Sequence, residues 1–199
     1  MPNPSTITIE QIKELRDKTG ISVMQCRKAL EEAGGDMEKA IIILKKKGAD
    51  SAAKKGDRTM AAGAIVAYIH GAGAIGAMVH LGSETDFVSN NKEFKDLAYA
   101  IAQQIAATNP EFLSYADISD EDKAKASEVF AEEVKGKPED LKAKILEGKL
   151  GAYFKERCLL EQPYIKNPDQ TVNDLITGAI QKFGEKIAVV RFVRYAVAG

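Results

Sequence analysis

Residues 65–81, with the sequence IVAYIHGAGAIGAMVHL, contain the pattern that decides the fold. Apolar residues recur at every second position on both sides of a glycine-rich break, which is the period of a β-strand. In the first fifty residues the apolar period is that of a helix instead. This change of period predicts a β-hairpin that opens a second structural region, and it predicts an α+β fold for the chain as a whole.

Each strand of the predicted hairpin has a more apolar face, formed by the odd-numbered residues. Pairing these two faces requires odd positions to lie opposite odd positions, and the loop then holds an odd number of residues. The apolar faces are Ile65, Ala67 and Ile69 on the first strand and Ile75, Ala77, Val79 and Leu81 on the second. His70 and His80 fall on the other, mixed face, where no carboxylate is placed to orient them. We expect partly exposed sheet residues rather than a metal or catalytic pair.

The glycine-rich break at 71–76 matches the G-x-G-x-x-G motif of dinucleotide sites. That motif needs a helix beginning inside it, whereas here the alternation continues as a strand. A kinase-like glycine hairpin, with Asp86 and Phe87 as part of a metal-binding motif, lacks the other kinase motifs. The two histidines and two cysteines also lack zinc-ligand spacing. We interpret the glycines as turn residues and expect no nucleotide site, no metal site and no cofactor.

The first fifty residues predict three short helices. Capping motifs start the first two at Thr8 and Ser22, Asp36 starts the third, and Gly48 is expected to end it. So few residues bury little apolar surface, and such a module usually docks on a partner. We therefore expect a separate N-terminal module, residues 1–50, with an exposed face for docking.

The rest of the chain predicts a small sheet covered by helices. Residues 51–62 form a short basic linker, and 63–199 form an α+β core domain. In that domain the hairpin is followed by a helix beginning at Asn90, a charged helical arm at about 119–160, and a last strand at 187–197. We expect about three strands, antiparallel, with helices on one side.

The composition excludes several classes of protein. A formal net charge of −1 gives no overall attraction to nucleic acid or anionic lipid, and no apolar run is long enough to span a bilayer. The first four residues lack the basic and apolar segments of a signal peptide. Cys26 and Cys158 stand alone, which fits a reducing compartment, with a single bridge as the open alternative. We expect a cytoplasmic protein that binds neither membranes nor nucleic acid directly.

Thr85-Asp86-Phe87-Val88 is the segment most informative about function. It follows the second predicted strand and precedes a helix, so a large aromatic ring sits on a charged turn. A Phe after a strand is more often the first core residue under the next helix. The alternative is an exposed ring that probes a partner, and the residues alone leave both open.

Six short segments occur along the chain in a characteristic order. They are LRDKTG at 15–20, CRKAL at 26–30, AAKK at 52–55, ETDFV at 84–88, EGKL at 147–150 and LLEQPY at 159–164, and a Gly-Glu pair follows them at 184–185. Each is weak alone, but in this order the chain resembles the elongation factor Ts family, the guanine-nucleotide exchange factors for elongation factor Tu. The resemblance runs from residue 9 to the C-terminus.

The resemblance implies two contact regions and no catalytic residue. The N-terminal module, which resembles a ubiquitin-associated domain, would dock on the nucleotide-binding domain of elongation factor Tu. Arg16, Val23 and Met24 match the family's contact positions, although Val23 departs from the usual Met. The implied location is the bacterial cytosol or an organellar matrix.

The second implied contact region is the segment 85–88. Asp86 and Phe87 match the pair that intrudes on the partner near its Mg²⁺ and weakens its hold on GDP, and Thr85 and Val88 flank that pair. This match favours the exposed-ring interpretation of Phe87. The sheet domain would grip another domain of the partner.

The chain is shorter than family members that carry two sheet subdomains and a protruding coiled coil. A single small sheet leaves unpaired edges, so we expect a homodimer through the sheet domain. Two other functions stay open: a free-standing adaptor built on the three-helix module, and an enzyme using the glycine-rich hairpin and Asp86. Release of fluorescent GDP from a Tu-type GTPase separates these functions.

Overall fold

The computed structural model describes residues 7–135 and 138–198. Its helices are α1 Ile9–Thr19, α2 Val23–Glu32, α3 Met37–Lys54, α4 Asp86–Ser89, α5 Lys92–Thr108, α6 Asp120–Ala131, α7 Glu139–Arg157 and α8 Val172–Phe183. Its strands are β1 Ala62–His70, β2 Ile75–Ser83, β3 Pro163–Tyr164, β4 Asn167–Thr171 and β5 Ile187–Ala196. A small antiparallel sheet has the order β1-β2-β5, and β3 pairs with β4. The predicted α+β class is confirmed.

Side chains cap the helix starts largely where the sequence predicts. Thr8 forms a complete capping box before α1, whereas Ser22 supplies only the hydroxyl half of one before α2. The carboxylate of Asp36 caps α3. The predicted cap of α5 at Asn90 is wrong by one residue, because the side chain of Asn91 accepts the bond from the Glu93 N–H at 2.8 Å. A short helix, α4, lies just before this cap.

The predicted core face of β1 is wrong. Ile65 and Ile69 are each 64% exposed, while the even-numbered Val66 and Tyr68 are half-buried. On β2 the odd positions Ala77, Val79 and Leu81 are buried as predicted, whereas Ile75 is half-buried. The turn between the strands holds the four residues 71–74, an even number, so odd positions of β2 match even positions of β1. His70 accordingly lies on the face of Tyr68, and the Tyr68 hydroxyl shares a 2.8 Å hydrogen bond with its Nδ1.

Gly48 does not end the third helix, which continues to Lys54 and so includes the start of the basic segment 51–62. The glycine is buried, and a Cβ at this position would lie 2.7 Å from the Cγ2 atom of Thr177 on α8. Lys45, one turn earlier, forms a 3.0 Å ion pair with Asp174 at the start of α8. A close approach of two helices, rather than a helix stop, therefore explains this glycine.

Contacts divide the chain into two compact units. The first comprises the described residues of Met1–Val66, Val79–Tyr99 and Asp174–Val190. Its N-terminal helices share a small core of fully or nearly fully buried side chains: Leu15, Ile21, Cys26, Ala29, Leu30, Ala40 and Leu44. Elsewhere in this unit Phe94 of α5 is completely buried and meets Phe183 edge to face, with 6.4 Å between ring centroids.

The second unit comprises the described residues of Ala67–Met78, Ala100–Asn173 and Arg191–Gly199. It contains the predicted helical arm, whose core is Ile118, Ala126, Phe154 and Cys158. Burial raises the pKa of the Cys158 thiol to about 11, and the nearby Glu161 carboxylate adds to the shift. The thiol therefore stays protonated and inert at neutral pH. Both cysteines are buried and free.

A buried glutamine network fixes the β3–β4 hairpin, which the sequence interpretation missed. Gln104 is fully buried, and its Nε2 donates to Gln162 Oε1 and to the Pro163 carbonyl, both at 3.1 Å. Its Oε1 accepts from the Ile165 N–H at 2.9 Å. The hairpin escaped prediction because β3 has only two residues and β4, Asn167–Thr171, lacks apolar alternation.

Candidate functional site

Phe87 lies on the surface. It is 83% exposed on the single turn of helix α4, and Asp86 beside it is also exposed. The interpretation of Phe87 as a core residue under the next helix is therefore wrong, because Phe94 occupies that buried position instead. An aromatic side chain this exposed contributes little to the folded core.

Residues close to Phe87 attach the turn to the rest of the protein. Val88 is only 3% exposed, so it points into the protein while its neighbour Phe87 points outward, and Ser89 is also buried. The Ser89 hydroxyl donates to the Asp86 carbonyl at 3.2 Å, and the Ser83 hydroxyl donates to the Thr85 carbonyl at 3.0 Å. A four-residue helix has no stability of its own, so these anchors hold its shape.

The turn is also tied to the segment between α8 and β5. The Thr85 N–H donates to Glu185 Oε2 at 3.0 Å, and the Thr85 hydroxyl donates to Glu185 Oε1 at 2.6 Å. In the opposite direction, the Lys186 N–H donates to Glu84 Oε1 at 2.6 Å. Each segment thus supplies a carboxylate that binds a backbone amide of the other.

Glu84 is held by a backbone amide and by a guanidinium. The hydrogen bond from the Lys186 N–H lowers the pKa of Glu84 below its usual value, and the Arg58 guanidinium at 3.2 Å adds to the effect. The Lys186 Nζ in turn donates to the carbonyl oxygens of Gly56 and Arg58. Backbone hydrogen bonds favour the ionised form of a carboxyl, which explains the direction of the shift.

We expect Glu84→Gln to reduce stability in a pH-dependent way. Because the folded pKa of Glu84 is lowered, its contribution is fully present above the unfolded pKa and is lost as the pH falls through the folded pKa. Urea unfolding should therefore show wild type more stable than the variant above about pH 5, with the gap closing as the pH falls further. Glu128→Gln, at an exposed position of α6, is the control. A gap that stays constant over this range would contradict the assignment.

The N-terminal helices α1 and α2 present a second exposed surface. Val23 and Met24, in the first turn of α2, are 48% and 62% exposed, and Arg16 in the last turn of α1 is exposed too. Gly20, with φ of 69°, makes the left-handed turn that joins these helices, and its N–H donates to the Arg16 carbonyl at 2.7 Å. Two apolar side chains and one cation are therefore exposed near the turn that joins α1 to α2.

Within residues 7–135 and 138–198, the structure contains no group of three or more metal-binding side chains and no helix long and apolar enough to cross a membrane. The glycine-rich motif forms a tight turn, in which Ala72 takes a left-handed conformation with φ of 54°. The strand β2 follows at Ile75, as predicted, instead of the helix that a dinucleotide site needs.

The sequence interpretation found both exposed surfaces but missed what holds the turn. Thr85 and Glu185 are 100 positions apart, and no local pattern connects them. Glu185 carried a signal only as part of a Gly-Glu pair in the resemblance. Gly184, with φ of 73°, caps α8 and directs the next residue towards the turn.

Comparison with known proteins shows the family. The family model described as elongation factor TS matches residues 52–199. Similar curated proteins named elongation factor Ts come from Carboxydothermus hydrogenoformans, 51% identical over 95% of this chain and 88% of the relative, and from Thermodesulfovibrio yellowstonii, 50% identical over 96% of both chains. The Thermotoga maritima protein of that name is 48% identical, again over 96% of both. This short chain therefore belongs to the elongation factor Ts family.

Proposed function

We propose that this chain binds elongation factor Tu in its GDP-bound form and accelerates GDP release by inserting Asp86 and Phe87 near the nucleotide and its Mg²⁺. The observation that carries the proposal is the geometry of the turn: Phe87 is 83% exposed while Val88, next to it, is buried. Thr85 and Val88 hold the turn on the protein, and Asp86 and Phe87 project from it. The work is done by binding energy, without a catalytic residue.

Exchange by this route requires a difference in affinity rather than chemistry. A ring that fits the nucleotide-free partner but finds no room in the Mg²⁺·GDP form binds the first state more tightly. By thermodynamic linkage, the factor by which the chain weakens GDP binding equals the factor by which GDP weakens the chain's own binding. Rebinding of nucleotide, GTP in the cell, then releases the chain, which acts again.

The test is release of fluorescent GDP from purified elongation factor Tu. Adding the chain should accelerate release, and the rate should saturate as its concentration rises. Binding without acceleration would support an adaptor instead, and nucleotide binding by this chain alone would support an enzyme. Either result would overturn the proposal.

In this proposal the N-terminal module, residues 1–50, supplies affinity, and the turn supplies the exchange step. Arg16, Val23 and Met24 form a docking corner on the module, with the two apolar side chains exposed. The sheet domain contacts another region of the partner. We place this function in the cytoplasm, where translation elongation takes place.

We expect Met24→Ala to weaken docking without changing the exchange step. Truncating an exposed anchor of an interface should raise the concentration needed for half-maximal GDP release by roughly tenfold. The maximal rate should stay at the wild-type value. Ile42→Ala is the matched control, because Ile42 is 64% exposed on α3 of the same module. Equal curves for wild type and Met24→Ala would refute the docking role.

A further inference from the structure

The position of Phe87 depends on a residue outside its own segment. The hydroxyl of Thr85, the N-cap residue of α4, makes no capping bond to that helix. It donates instead to Glu185 Oε1 at 2.6 Å, and the Thr85 N–H donates to Oε2 of the same carboxylate at 3.0 Å. Both oxygens of Glu185 are thus engaged by a single residue at the start of the turn.

Glu185 is itself held at both ends. Gly184 before it ends α8 in a left-handed conformation, and its N–H donates to the Ile180 carbonyl at 2.9 Å. Ile187, two residues after it, is 2% exposed at the start of β5. Lys186 between them donates its N–H to Glu84 at 2.6 Å. A carboxylate with so little freedom fixes the residue that it binds.

From this geometry we propose that Glu185 is a positioning residue for nucleotide exchange, which clamps Thr85 so that Asp86 and Phe87 project in one orientation. The inference rests on the proposed function of the turn. Four residues of helix do not hold an orientation alone, and misplacement of an acting group by about 1 Å can cost on the order of a hundredfold in rate. The clamp removes that freedom before the partner binds, so less entropy is lost on insertion.

The experiment compares Glu185→Ala, Glu185→Gln and a control in fluorescent GDP release. For Glu185→Ala we expect a maximal rate lower by about tenfold, with the half-saturating concentration unchanged, because docking by the N-terminal module is intact. Glu185→Gln should recover most of the rate, since an amide oxygen can accept from the Thr85 N–H while its NH₂ donates to the hydroxyl. Glu93→Ala is the control: it removes a carboxylate that pairs with Lys182 of α8 but does not touch the turn.

Amide hydrogen exchange on the isolated chain provides a readout that does not depend on the partner. The Thr85 amide should exchange slowly in wild type, Glu185→Gln and Glu93→Ala, and faster in Glu185→Ala. If wild type fails to release GDP but Thr85 is protected in this pattern, the proposed function fails while the clamp stands. Full exchange activity of Glu185→Ala, or an equal loss in Glu93→Ala, overturns the positioning role. So does an unprotected Thr85 amide in wild type.

Discussion

Phe87→Ala should leave the fold intact and nearly abolish nucleotide exchange. The side chain is 83% exposed, so its removal opens no cavity, and we expect the free energy of unfolding to change by less than about 0.5 kcal/mol. In the complex that we propose, the ring occupies a site that the partner's GDP-bound form keeps closed. Its loss should lower the maximal rate of GDP release on the order of a hundredfold, about 2.7 kcal/mol.

Phe94→Ala is the matched control for this prediction. Phe94 is completely buried and packs against Phe183, so its truncation should cost about 3–5 kcal/mol of stability. The two phenylalanines are seven positions apart and should give opposite results in unfolding and exchange assays. Asp86→Ala should show a smaller exchange defect of the Phe87 kind. Severe destabilisation by Phe87→Ala, or normal exchange without the ring, would contradict the proposal.

The contrast between Phe87 and Phe94 shows what local sequence can predict. The helical stripe that contains Phe94 has a strong period, and its burial follows from that period. Phe87 stands between a strand and a helix, where no period applies, so the residues alone left two interpretations. Only the ordered motifs of the resemblance favoured exposure. Glu185, which binds Thr85 across 100 positions, lay beyond any local pattern.

The errors in the fold have a similar physical origin. Both faces of β1 are apolar enough to serve as a core face, and the choice depends on whether the turn holds an odd or an even number of residues. Glycines at 71 and 73 permit several turns, so the sequence did not determine that number. Gly48 was interpreted by its conformational freedom, whereas its role is to let α3 approach Thr177. At each of these positions the local conformational preference of the residues and the tertiary contacts of the fold favour different structures.

The orientation of the side chains on β5 bears on whether the chain forms a homodimer. In the second unit, the Arg194 side chain turns inward: its Nε donates to the Ala106 carbonyl at 3.1 Å and its Nη1 to Asn109 Oδ1 at 3.2 Å. Neighbouring residues of a strand point to opposite faces, so Val193 and Tyr195 project outward. Tyr195 is 73% exposed. The charge of Arg194 therefore does not lie on the outward face of Val193 and Tyr195, where it would oppose contact with a second chain.

Other apolar residues of the same unit share this exposure. Ile69 is 64% exposed and Met78 is 46% exposed, and both alternate along their strands with more buried residues. The strand order makes β1 and β5 the edges of the three-stranded sheet. Exposed apolar side chains on a sheet with open edges are typical of an interface. A second copy of the chain is the occupant that we propose, because a twofold axis brings the same apolar residues of two copies together.

Sedimentation of the reduced protein at micromolar concentration should therefore give twice the chain mass of 21.6 kDa. Tyr195→Lys combined with Val193→Lys places two charges on each copy's surface, and these repel across a twofold axis, so we expect a folded monomer. Val129→Lys is the control, because Val129 is 66% exposed on α6 and is not part of the sheet, so the substitution should leave the dimer intact. Both cysteines are buried and free, so reductant should not shift the equilibrium. A wild-type monomer would disprove the dimer and would leave the apolar sheet residues as a contact surface for the GTPase.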